Sequence, residues 1–261
     1  MQSVTSPQYS ARLLRNATLI LKLGGQNFLV DPMFGEKGSW DPIPWTNETR
    51  NPTVDLPVTD VELKKIVNDA DYVLVTHLHP DHWDQAAQQS IPKDKPVICQ
   101  PEDVPQLKAQ GFEKLYTDTQ LLLPSGVSIN RVGAQHGHGD LAEKMAPASG
   151  YILKSNDRCF YLAGDSVWFE GVQHVIDTWQ PDVIIVNGGG AKFQFGEPIT
   201  MTADEVLMVA NHSKEEAKVI VVHLEAVNHC YTTRYELQHF FAGRGLSSKV
   251  IIPKDGEELS L

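Results

Sequence analysis

The sequence predicts a layered α/β sandwich, and three observations carry that reading. Short apolar runs separated by turn residues dominate the first half, strand and helix alternate in the second, and no internal repeat or linker interrupts either. With 261 residues, 41% of them hydrophobic and 21% charged, the chain is long enough for a substantial core and too apolar for disorder. We read residues 1–261 as a single domain.

The elements follow in order. Residues 17–23 and 26–31 are apolar runs around Gly24-Gly25, a β-hairpin in which glycine supplies the positive φ of a tight turn. Residues 32–57 are rich in Pro, Gly and Asn, contain Phe34, Trp40 and Trp45, and show neither helical nor strand period. A loop of that length in a compact domain usually serves function. Thr59-Asp60-Val61-Glu62 fits a capping box opening a helix to about Asn68, and residues 72–76 read as a buried strand ending on histidines. A helix over 103–110 stops at Gly111. Mostly antiparallel strands are expected around Leu115 and at 121–123, 127–132, 151–153 and 158–163, the last closing on Gly164-Asp165. Residues 168–179 look helical, 183–186 form a β-branched strand, and Gly188-Gly189-Gly190 opens a loop. Thr202 to Glu205 caps a helix reaching His212, and 219–222 is a strand ending on His223. Thr233 to Glu236 caps a helix stopped at Gly243, and 249–252 is the last strand.

Composition narrows the function. The formal net charge of -11, with no Lys/Arg cluster against it, disfavours nucleic acid and anionic membrane surfaces as partners. Cys99, Cys159 and Cys230 are scattered singly, which fits a reducing compartment. Residues 1–10 carry neither a basic nor an apolar signal region, and no apolar stretch is long enough to span a bilayer. The expectation is a cytoplasmic protein acting on a small molecule, with homo-oligomerisation left open.

The chemistry concentrates in His77-Leu78-His79-Pro80-Asp81-His82. Four imidazole or carboxylate groups within six residues, just past a buried strand, can turn into one cleft and suit zinc, manganese or iron. His136, Asp165 and His223 each stand at or near a strand end, where side chains converge on one edge of a sheet.

In this order of elements the sequence resembles the metallo-β-lactamase superfamily, whose motif is His-x-His-x-Asp-His followed by a histidine, an aspartate and a last histidine after strands. The resemblance covers nearly the whole chain and implies an αβ/βα four-layer sandwich. Gly164-Asp165-Ser166 and residues 223–230 look typical of the UlaG-like branch, which includes L-ascorbate-6-phosphate lactonase-like enzymes. True metallo-β-lactamases have cysteine where this chain has Asp165, so penicillin hydrolysis is not expected. The resemblance further implies two divalent metal ions, zinc foremost: one on His77, His79 and His136, the other on Asp81, His82 and His223, with Asp165 bridging. Two such ions share a water and lower its pKa, making a hydroxide nucleophile for a lactone or other ester-like bond. The same superfamily leaves open a phosphodiesterase, an iron-based redox protein, or a metal-binding protein without turnover.

Other residues have two readings each. His229, a rival of His223 for the last ligand position, is with Asp81 a candidate catalytic residue, the histidine as proton donor; a hydrogen-bonded structural histidine is the alternative. His138 has the same ambiguity. Asp31 can orient a ligand imidazole or simply cap a strand. Phe34, Trp40 and Trp45 can wall a substrate pocket or pin their loop to the core. Lys192 can meet a substrate or stay solvated. Gly188-Gly189-Gly190 lacks the Gly-Lys-Ser/Thr ending of a phosphate loop and reads as a flexible turn, and Cys230 as a buried structural thiol.

Overall fold

The computed structural model describes residues 8–261; the stretch read as free of a signal region lies, up to residue 7, outside them. The chain begins with β1 (Ser10–Arg15), β2 (Thr18–Leu23) and β3 (Gln26–Val30). α1 (Asp60–Asp69), β4 (Tyr72–Leu74), α2 (Gln85–Ser90), β5 (Val97–Ile98), α3 (Val104–Ala109) and β6 (Leu115–Tyr116) follow. Then come β7 (Gln120–Leu122), β8 (Ser128–Gly133), α4 (Gly139–Lys144), β9 (Ser149–Lys154), β10 (Cys159–Leu162) and α5 (Glu170–Trp179). β11 (Val183–Asn187), α6 (Ala203–His212), β12 (Lys218–Val222), α7 (Arg234–Ala242), β13 (Val250–Ile251) and β14 (Glu258–Ser260) complete it.

The strands form two seven-stranded mixed sheets, ordered β14-β1-β2-β3-β4-β5-β6 and β13-β12-β11-β10-β9-β8-β7. Side chains alternate between two apolar layers. Phe160, Leu162, Val183, Ile185, Ile220 and Val222 face a core shared with Leu19, Leu21, Phe28, Val30 and Leu74 of the other sheet. Their neighbours Tyr161, Ile184, Val186, Val219 and Val221 pack under α5, α6 and α7. Leu29, Val73 and Val97 pack under α1, α2 and α3. Both faces of the central strands are thus covered, which is why they read as unbroken β-branched runs. The result is the αβ/βα four-layer sandwich.

The expectations fail where periodicity is hidden. β1 has no clean alternation because both its faces are buried, and α2, α4, β5 and β14 are too short for a period to register. The first half is antiparallel at β1–β2, β2–β3, β7–β8 and β8–β9, but not throughout. β3 through β6 pair parallel, with α1, α2 and α3 as crossovers. The boxes at Thr202/Glu205 and Thr233/Glu236 are reciprocal. At Thr59 only half forms, because the Glu62 carboxylate turns to Arg12 Nη1 at 2.8 Å.

This topology positions the functional residues. β10, β11 and β12 run parallel, and β8 points the same way because β9 is antiparallel to both β8 and β10. Asp31, His77, His136, Asp165 and His223 all follow the carboxyl ends of such strands, the edge where open α/β sheets bind ligands.

The long loop after β3 is strapped to that edge from inside. Arg15, fully buried, donates to the carbonyls of Val54 (3.0 Å), Met33 (2.9 Å) and Gly35 (2.8 Å). Burial lowers its guanidinium to about 10, against the pull of Asp84 and Asp255. Arg15→Ala removes a charged donor from three carbonyls at once and is expected to lower the unfolding free energy in urea by about 3 kcal/mol. A loss under about 1 kcal/mol would mean that the loop is held by its other contacts.

Candidate metal centre

The histidine run leaves β4 and folds into a tight turn in which His82 and Trp83 both donate their N–H to the His79 carbonyl at 2.9 Å. That turn brings His77, His79, Asp81 and His82 around one point. Three overlapping groups of ligand atoms result: His77, His79 and His136; His77, His82 and Asp165; Asp81, His82 and His223, each within 4.8 Å. In the first group, His79 Nδ1 lies 2.9 Å from His77 Nε2 and 3.3 Å from His136 Nε2. In the last, His223 Nε2 lies 3.1 Å from Asp81 Oδ2.

Asp165 stands between the two sets. Its Oδ2 is 3.4 Å from His136 Nε2 and 3.8 Å from His77 Nε2, whereas Oδ1 is 3.3 Å from His82 Nε2 and 3.7 Å from His223 Nε2. The side-chain amide of Asn187, at the end of β11, donates to Oδ1 at 2.6 Å and fixes the carboxylate's rotation.

Four of the imidazoles, those of His77, His82, His136 and His223, are aimed by a contact to the nitrogen facing away from the cluster. Thr76 Oγ1 donates to Asp31 and so accepts from His77 Nδ1 at 3.1 Å. Asp31 Oδ2 accepts from His82 Nδ1 at 2.8 Å, as expected of an orienting carboxylate. The Ile199 carbonyl takes His136 Nδ1 at 2.9 Å, and Cys230 Sγ faces His223 Nδ1 at 3.1 Å. Asn16, at the β1–β2 turn, donates to the Asp81 carbonyl and accepts from the His223 N–H, joining two ligand loops. Sequence reasoning missed Asn16, Thr76 and Asn187, which carry no ligand motif of their own.

Protonation follows burial and charge. Desolvation, helped by neighbouring imidazoles, holds His77 well below its ordinary value and His79 at about 4. Desolvation opposes charge on Asp81 and Asp165 too, but facing imidazoles outweigh it and keep both carboxyls well below the usual range. For His82, raised to about 10, Asp165, Asp31 and Asp81 outweigh desolvation; for His223, also raised, Cys230 and Asp165 contribute most. His77 and His79 are therefore neutral and ligand-ready, whereas His82 and His223 hold protons in the place of a cation. His82 Nε2, buried and near Asp165 without the alignment of a hydrogen bond, has no hydrogen-bond partner. Converging lone pairs, ionised carboxylates and that orphaned nitrogen all fit divalent ions bound by N and O donors.

The remaining candidates divide. His229 is buried with its ring 6.1 Å from that of His223, its Nδ1 is unpartnered, and burial brings it down to about 4. His138 Nε2 is instead 3.3 Å from Glu205, turned toward α6. Phe34, 6% exposed, packs with Trp83 and Val75 in the core. Trp40 lines a cavity of 470 Å³ with Leu78, Pro80 and Trp83, beside the histidine run. Trp45, 66% exposed, meets Phe193 and Phe195. Lys192 Nζ lies 5.7 Å over Tyr231, while its N–H donates to the His229 carbonyl at 3.0 Å. The glycine run is not a loose turn. A Cβ on Gly189 would lie 2.0 Å from the His223 carbonyl, so glycine is what lets the loops touch.

Comparison with known proteins agrees with this geometry. The model of the beta-lactamase superfamily domain matches residues 26–224. The UPF0173 protein YddR of Bacillus subtilis (strain 168) is 37% identical over 252 residues, covering 94% of this chain and 96% of YddR. A UPF0173 metal-dependent hydrolase of Pyrococcus abyssi is 28% identical over 197 residues, 74% of this chain and 82% of that protein. Among solved structures, isothiocyanate hydrolase from Delia radicum gut bacteria aligns with a TM-score of 0.90 at 33% identity, over 97% of this chain and 99% of that one. A protein of Veillonella parvula DSM 2008, described as a possible metal-dependent hydrolase, aligns at 0.92 and 32%, over 98% and 100%. The chain belongs to the beta-lactamase superfamily.

Proposed function

We propose that this chain is a dinuclear metal-dependent hydrolase of a small metabolite with a lactone or other ester-like bond. The observation that carries the reading is the division of Asp165, one oxygen toward His77 and His136 and the other toward His82 and His223. His77, His79 and His136 would hold one ion and Asp81, His82 and His223 the other, with Asp165 serving both. Bound there, two divalent ions, zinc foremost with manganese or iron also suited, acidify a water and polarise the substrate's electrophilic group.

The chain's own residues hold and aim the rest. Asp31, Thr76 and the Ile199 carbonyl keep three imidazoles in the orientation that leaves a lone pair facing the cluster. His229, neutral near pH 7 because burial holds it at about 4, can both accept and donate a hydrogen bond to a reacting heteroatom. Trp45, Phe193 and Phe195 form an apolar rim tied to the His229 loop, suited to an uncharged substituent. The relative named as an isothiocyanate hydrolase extends the class of electrophile: a carbon attacked by water, with a heteroatom that takes up charge. The core shared by both sheets supports treating the chain as one domain.

Elemental analysis after reconstitution should find about two ions per chain, with hydrolysis of at least one member of a lactone, ester, thioester and isothiocyanate panel. Asp165→Ala should lose metal and at least about 100-fold in turnover, since even partners of ligands contribute 10- to 100-fold. No uptake of zinc, manganese or iron would end this reading. Two further variants separate roles. Asp31→Ala should weaken metal binding about 10- to 100-fold by freeing His82. His229→Ala should keep its metal and lose about 100-fold in kcat; unchanged kcat would return His229 to a structural role.

A further inference from the structure

Of the imidazoles in the cluster, His223 is the one whose outward nitrogen meets sulfur. Nδ1 of His77, His82 and His136 each face oxygen, whereas His223 Nδ1 lies 3.1 Å from Cys230 Sγ. The contact is built by the chain doubling back over residues 223–230. Cys230 N–H donates to the Val227 carbonyl at 3.1 Å, and Asn228 N–H to Asn51 Oδ1 at 2.8 Å. Two further bonds clasp this turn to the glycine loop: Thr232 N–H to the Gly189 carbonyl (3.1 Å) and Lys192 N–H to that of His229 (3.0 Å). A Cβ at Gly189 would stand 2.0 Å from the His223 carbonyl and 3.1 Å from Cys230 Sγ, so histidine and sulfur press on the same glycine. His223 itself sits at φ 62, a conformation costly for a residue with a Cβ unless its surroundings impose it.

We infer that Cys230 is a positioning residue of the metal centre: its sulfur accepts the Nδ1–H of His223 and so presents Nε2 toward Asp81 and Asp165. The inference rests on the metal-centre reading above. Cys230 is not among the residues of the three ligand groups; it stands behind the ring, not beside the ion position. A thiol is a weak acceptor, so it fixes the tautomer while donating less charge to the ring than Asp31 gives His82. The two imidazoles of one ion would thereby be backed by acceptors of unequal strength, a carboxylate behind His82 and a thiol behind His223.

The test is cobalt titration of the metal-free chain beside Cys230→Ser and Cys230→Ala. Affinity at one of the two positions should fall about 10- to 100-fold in Cys230→Ala, with Cys230→Ser between it and the unaltered chain, because a hydroxyl accepts the same N–H from slightly farther away. If the thiol only packs, the order reverses, since a methyl group is tolerated better than a buried hydroxyl without a partner. The unaltered chain should lack the near-ultraviolet sulfur-to-cobalt charge-transfer absorption. Its presence, and its loss in Cys230→Ser, would make Cys230 a direct ligand and overturn the inference. So would alanine binding cobalt as the unaltered chain does. Thermal unfolding of the metal-free forms identifies a variant that fails to fold; should Cys230→Ala do so, Cys230→Val, which also lacks an acceptor, replaces it. Failure of the unaltered chain to bind cobalt would sink the metal-centre reading, and this one with it.

Discussion

The carboxylate of Asp31 is the hinge on which the centre is built. Oδ1 accepts the Thr76 N–H at 2.7 Å, and Oδ2 accepts both the Thr76 hydroxyl at 2.7 Å and His82 Nδ1 at 2.8 Å. Its own N–H reaches back to the Leu74 carbonyl, and its carbonyl takes the Thr18 hydroxyl. One buried side chain thereby joins the ends of β3 and β4, sets where the histidine run departs, and aims one imidazole directly and a second, His77, through Thr76. The arrangement holds Asp31 at φ 42, off the strand geometry that precedes it. A carboxylate buried this deeply is tolerable because each of those donors satisfies it.

The same constraint scales to the whole cluster. Asp81, Asp165 and the imidazoles around them lie where water cannot screen them, and an unpaired charge in such a place costs several kcal/mol. Without a cation the chain meets this cost with protons on His82 and His223, while His77 and His79 stay neutral. Metal uptake therefore has to displace protons from His82 and His223 but none from His77 or His79. The two pairs differ because the carboxylates Asp31 and Asp81 both lie on the His82 side.

What the sequence disclosed follows from that physics. The residues that gather at the cluster were legible because the density of His77 to His82 after a strand has few other uses, and because His136, Asp165 and His223 stand at strand ends that topology brings together. The two reciprocal capping boxes were legible for the same reason, being local. Asn16, Asn187 and the sulfur of Cys230 were not. Each acts across more than 20 residues, or across a turn whose path the sequence does not reveal, and each is an ordinary residue until the chain brings its partner. The parallel pairing of β3 to β6 was hidden because the crossover helix α2 is six residues long and β5 only two.

The fold also separates what must be constant from what can vary. Ligands and their orienting partners stand on strand ends or within tight turns, braced by backbone carbonyls and buried hydroxyls. The rim of Trp45, Phe193 and Phe195 stands on loops held by a different device, the amides of Asn51 and Asn228 together with the Thr46 hydroxyl. That polar knot is buried, yet it touches none of the ligand side chains, and Gln194 N–H to the Trp45 carbonyl at 2.8 Å is what couples one rim loop to the other. Trp45 and Phe195 are therefore held independently of the side chains that gather at the histidine cluster. A scaffold divided in this way keeps the buried cluster of imidazoles and carboxylates apart from the aromatic loops, because the polar knot that holds those loops lies outside the electrostatic balance of the cluster.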